Sequence, residues 1–149
     1  RLRDDTCGLL RLQRRQRGKG ELEAEISDEV TLRLGTGFDA AAIIPYVQMH
    51  EFEALLFSDV GCFDLDDAWT DQQRQQLAAI RAEFETPEDI DDSPQMAPSK
   101  RLGRVLPGYD VQKRVYGPLI AEQIGLDVIR RECRGFDAWL ARLESLGNA

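Results

Sequence analysis

The stretch Ile44–Asp59, IPYVQMHEFEALLFSD, decides how this chain is read. Its first part continues an apolar run from Ala40 to Val47. There Ile43, Ile44, Tyr46 and Val47 favour an extended strand. Pro45 has no N–H to give to a ladder, so the strand lies at a sheet edge, carries a bulge, or starts after the proline. Its second part predicts a helix from about His50 to Phe57, and Ser58-Asp59 leads that helix into a loop. Projected at about 100° per residue, Phe52, Leu55 and Leu56 make an apolar face. Ala54 and Phe57 extend it nearly all round, leaving Glu51 and Ser58 as the polar edge.

Glu53 falls on the apolar side of that helix. Leu56 and Phe57 lie one turn after it and His50, the single histidine, one turn before. A carboxylate among large apolar groups is costly unless it is paired or holds a cation. Two readings follow. Glu53 is a functional carboxylate with His50 beside it, or it anchors the fold through His50, Lys100 or Arg101. The order His50-Glu51-Phe52-Glu53-Ala54 is not the zinc-protease pattern, because Ala54 stands where the second histidine belongs.

A second cluster is basic: Lys100, Arg101 and Arg104, then Lys113 and Arg114 beyond Tyr109. Basic groups beside an aromatic ring can hold phosphate. Ordinary surface charge that offsets the acidic tract before it explains them equally well. No phosphate-binding glycine loop, dinucleotide fingerprint or nucleophile-elbow motif is present.

Charge is unevenly spread. Residues 1–20 carry a net +5 against a chain total of −8, so the rest carries −13. An acidic body repels nucleic acid at long range, so contact with it needs a local basic patch, a partner or bound cations. No apolar run approaches the roughly 20 residues that a membrane span needs, and no membrane association is expected. Cys7, Cys62 and Cys133 are odd in number and far apart, which fits a reducing cytoplasm rather than a disulfide framework.

Elsewhere the pattern is helical. Glu21–Leu34 ends at Gly35, and Thr70–Phe84 begins at a cap formed by Thr70 or Asp71. Residues 83–99, acidic and holding Pro87, Pro94 and Pro98, read as an exposed connection. Lys100–Leu106 reads as a short basic helical turn. Lys113–Ile124 follows, starting either at Lys113 or at Gly117-Pro118, since proline fits a first turn. Asp127–Cys133 and Phe136–Leu146 complete the chain, the last with Phe136, Leu140 and Leu143 on one stripe. One strand cannot make a sheet, so its partners are hidden in the pattern, lie upstream, or come from another chain.

Several ordered blocks then carry a resemblance. Ile44–Asp59, Ala97-Pro98-Ser99-Lys100-Arg101, Leu106-Pro107-Gly108-Tyr109, GPLIAEQIGLDVIRREC over Gly117–Cys133, and Phe136-Asp137-Ala138-Trp139-Leu140 resemble the bacterial family called domain of unknown function 4276. The resemblance runs from Glu21 to Leu146. It implies a TOPRIM-like fold, a small parallel sheet flanked by helices, with magnesium held by a glutamate after the first strand and an Asp-x-Asp pair after a later one. It also implies partnership with ATPases in phage defence or DNA repair. Phe52-Glu53-Ala54-Leu55-Leu56 resembles the stretch that follows the acidic pair in such proteins. Residues 1–20 are arginine-rich and match neither metal-bearing strand, so the usual amino-terminal part is expected to be missing.

The expectation is therefore an α/β fold, TOPRIM-like but incomplete, helix-rich with a small parallel sheet. Residues 1–20 form an irregular basic segment and 21–149 a single domain. The resemblance implies a magnesium-dependent nuclease or its carboxyl-terminal portion. Glu53 would be the metal-proximal carboxylate, His50 its catalytic neighbour, and Lys100, Arg101 and Lys113 the phosphate contacts. The alternatives are a non-catalytic module that docks on a partner ATPase, and a helical scaffold in which the blocks serve packing alone.

Overall fold

The computed structural model describes residues 18–49, 51–90, 93 and 95–147. The basic segment 1–20 thus lies outside the described residues except for 18–20, and so does His50. The chain divides into two compact units, Arg1–Val47 and Gln48–Ala149.

In the first unit, helix α1 spans Lys19–Leu34 and stops at Gly35, which takes φ 79°. A 3₁₀ turn at Ala40–Ala42 follows, started by the Asp39 carboxylate accepting from Ala41 N. The chain then runs through 43–47, where a strand is expected. Among the described residues there is no strand and no sheet, and the α/β, TOPRIM-like expectation gives way to an all-helical structure with seven α-helices. The reason is local. Pro45 removes one ladder donor, and the Val47 N–H goes to a side chain, the Glu23 carboxylate of α1, at 3.0 Å. The Lys19 ammonium sits 3.9 Å over the Tyr46 ring. The extended segment is therefore tied to a helix by side-chain contacts and needs no neighbouring strand.

In the second unit, the expected helix from His50 to Phe57 is a single turn, α2, Glu53–Leu56. All four of Ala54, Leu55, Leu56 and Phe57 are buried. Beyond a 3₁₀ turn at Val60–Cys62, α3 spans Asp71–Arg81. Thr70 and Gln73 form its capping box, each side chain accepting from the other's backbone N–H. The stretch read as an exposed connection holds a 3₁₀ turn, Pro87–Asp89, and buries Pro87, Ile90, Ala97 and Pro98. Helix α4 spans Pro98–Val105, with the proline in its first turn.

Helix α5, Tyr109–Ile124, starts four residues earlier than the sequence suggests and runs straight through Pro118. Proline there deprives the Arg114 carbonyl of its i+4 donor. Arg114 and Pro118 both lie on the solvent side, where water can serve that carbonyl. Helices α6, Leu126–Glu132, and α7, Arg134–Leu146, close the chain. The core gathers α2, α4 and α5 around Leu56, Phe57, Leu102, Leu106 and Ile120, with α3 adding Leu77.

Gly108 starts α5 in the left-handed region, with φ 79° and ψ −9°. A Cβ there would meet no neighbouring atom. Gly108→Ala is therefore expected to cost about 1–2 kcal/mol through backbone strain alone, read as a lower urea midpoint with an unchanged slope.

Candidate functional site

Where α2 meets α5 in the second unit, an ion pair and a buried hydroxyl come together. Tyr109, Lys113 and Gly117 recur every four residues and share one face of α5. Glu53, at the start of α2, points its carboxylate at that face. Its side chain is 12% exposed, and Oε1 lies 3.7 Å from Lys113 Nζ. Gly117 leaves room for Phe52: a Cβ on Gly117 would stand 3.4 Å from Phe52 Cε1 and 3.9 Å from the Tyr109 hydroxyl oxygen.

Tyr109 is fully buried, and its hydroxyl has no hydrogen-bond partner. Burial pushes its pKa well up, and the negative charges of Glu53, Glu51 and Asp110 push it further. The phenol stays neutral and keeps its proton to donate. Glu51 is committed elsewhere. Its Oε2 accepts from Ser99 N at 2.8 Å, at the start of α4, where Ala97 offers no capping side chain. A carboxylate there also meets the positive end of the helix dipole.

The residues expected to bind phosphate have separate fates. Lys113 faces Glu53, as above. Arg101 is 7% exposed. Its Nε donates to Met96 O at 2.7 Å, and its guanidinium lies 5.2 Å from the Phe84 ring centroid. Lys100 is exposed on α4. The expected pairing of Glu53 with His50 lies outside the described residues, and the other anchors considered, Lys100 and Arg101, are not its partner; Lys113 is. Sequence reasoning missed Tyr109 as a site residue. Its available signal was an aromatic residue directly after Pro107-Gly108, four before a lysine.

Among the described residues, no three His, Cys, Asp or Glu side chains gather closely enough to hold a metal ion. Glu53 meets a lysine and Glu51 a backbone amide. No described helix is long and apolar enough to cross a membrane.

A family model described as Domain of unknown function (DUF4276) matches residues 3–144. No curated protein and no solved structure matches the chain.

Proposed function

The chain belongs to the DUF4276 family, a domain of unknown function, and we propose from that premise that it is a non-catalytic interaction module which docks on a partner ATPase through helix α7. One observation carries this reading. Helix α7 is amphipathic, with Phe136, Trp139, Leu140, Leu143 and Leu146 along one side, yet it buries none of its residues. Only Phe136, at its root, packs against the core. Leu143 and Leu146 are 36% and 54% exposed. Leu143 and Leu146, in line on the last turns of the helix and open to water, make a groove-binding face.

The helix is also held in place before any partner arrives. The Glu88 carboxylate accepts from Gly135 N at 2.7 Å and Phe136 N at 3.0 Å, capping its first turn. Arg130 bridges both ends of the helix, donating to Glu144 near its far end through both terminal nitrogens and to Asp137 in its first turn through Nε. A preordered helix loses less entropy on docking. Residues 48–149 carry a net −8, so the fitting partner surface is an apolar groove with a basic rim.

Support for an ATPase comes from the family resemblance. Support for a non-catalytic role comes from Glu53, Lys113 and Arg101, which are engaged within the fold. The test is co-expression with an ATPase encoded beside the gene. The wild-type chain is expected to be captured by it, and Leu143→Asp to weaken capture by about thirtyfold or more. Glu53→Gln is expected to leave capture unchanged. Full capture of the Leu143 variant would remove α7 as the docking face. Magnesium-dependent cleavage of DNA or RNA that Glu53→Gln abolishes would replace this reading with the nuclease.

A further inference from the structure

Helix α5 carries a second apolar line, remote in sequence from α7. Val111, Val115 and Leu119 recur every four residues and are 89%, 55% and 44% exposed. Pro118 lies within the same strip of surface, and its side chain is exposed. On the opposite side of the helix, Tyr109, Ile120 and Ile124 are in the core. The outer face is therefore fixed by the inner one and cannot turn inward.

Two charged residues decide what covers this face. Arg114 and Glu122 are both exposed, and each lies four residues from Pro118, on opposite sides. Four residues correspond to about 6 Å along the helix axis. A two-fold axis through Pro118 would run a second α5 antiparallel to the first. Val115 and Leu119 of the two copies would then pack against each other along one flank of the crossing. Arg114 of each copy would come alongside Glu122 of the other, giving two identical ion pairs. A two-fold interface must be complementary to itself, and this face has that property. We propose that two copies of this chain associate through the exposed face of α5, antiparallel, with Pro118 at the crossing.

Proline suits that crossing, since its short ring lets two helix backbones approach. The chain's net charge of −8 opposes self-association at long range, so the dimer is expected to tighten as added salt screens that repulsion, until the Arg114–Glu122 pairs are screened as well.

The experiment is sedimentation equilibrium on the full chain over a wide concentration range. Wild type is expected to show a monomer–dimer equilibrium. Arg114→Glu and Glu122→Arg are each expected to raise the dissociation constant about tenfold or more. The double variant, Arg114→Glu with Glu122→Arg, restores the pairing in reverse and is expected to return close to wild type. Both substituted positions are exposed, and circular dichroism checks that each variant folds. A monomer at every concentration overturns the proposal. So does a dimer that neither single charge reversal weakens, or a double variant as weak as the singles. A dimer lost in Leu143→Asp but indifferent to Arg114 would assign self-association to α7 and overturn it too.

Discussion

Phe57→Ala is expected to remove about 3–5 kcal/mol of folding stability. That is a large fraction of the roughly 5–15 kcal/mol that holds a domain together. Phe57 closes α2 and is 1% exposed. It belongs to the core cluster with Leu56, Leu102, Leu106 and Ile120, so truncation loses both the burial of the ring and its packing contacts. The four-residue α2 cannot be stable as an isolated helix. It persists because every residue from Ala54 to Phe57 is buried, and a void there removes the reason for the turn to form. The measurement is urea unfolding. Leu65→Ala, at a 37% exposed site in the same unit, serves as the comparison and is expected to shift stability by only about 0.5 kcal/mol. If Phe57→Ala cost no more than that, α2 would not be the centre of the core.

The same segment shows what the sequence can and cannot convey. Its apolar projection, nearly all round, correctly marks a buried element. The near-complete apolar surround is the signature of a helix inside the core, and Ala54, Leu55 and Leu56 are buried as that pattern requires. Its length was not legible. The expected helix begins at His50, but Glu51 turns its carboxylate to Ser99 N and Phe52 lies over Gly117, so regular helix starts only at Glu53. Those partners are 48 and 65 residues away in sequence, beyond any local pattern. The strand expected over 40–47 failed for a related reason. β-branched and aromatic residues describe an extended backbone well, but a strand also needs a neighbour. Val47 N–H and Tyr46 find theirs on α1.

The helices most legible in the sequence are those with strong end signals: Thr70 before α3, Gly35 after α1 and Gly125 between α5 and α6. Helix α5 begins ahead of both Lys113 and Gly117-Pro118, because Arg114 and Pro118 lie on the solvent side, where the helix tolerates the proline. For the site, burial of Glu53 was legible from helical spacing alone. Its partner was not, since Lys113 reaches it only when α5 packs against α2.

Tyr109→Phe is expected to stabilise the protein by about 1–3 kcal/mol, the penalty of a buried hydroxyl without a partner. Most core substitutions do the opposite, so the sign alone is informative. The ring stays, with its tilted contact to Trp69 at 6.3 Å between centroids, and only the oxygen leaves. The pH dependence gives an independent reading. The folded phenol has its pKa raised above the ordinary 10.0 by burial and by Glu53 and Glu51. Its unfolded counterpart ionises at that ordinary value. Stability from this group is therefore complete below pH 10 and declines as pH rises past it, because the unfolded chain gives up a proton that the folded one retains. Phenylalanine has no such proton, so the variant's advantage over wild type should grow above pH 10. Urea unfolding of both proteins at neutral and alkaline pH measures this. A loss of about 1 kcal/mol at neutral pH would instead mean that the hydroxyl has a partner in solution. The carboxylates that raise its pKa are then the candidate acceptors, and Glu53, the largest of those charge effects, is the one to repeat the measurement on. A Glu53→Gln background in which Tyr109→Phe becomes neutral would identify that bond, because two changes to one hydrogen bond do not add.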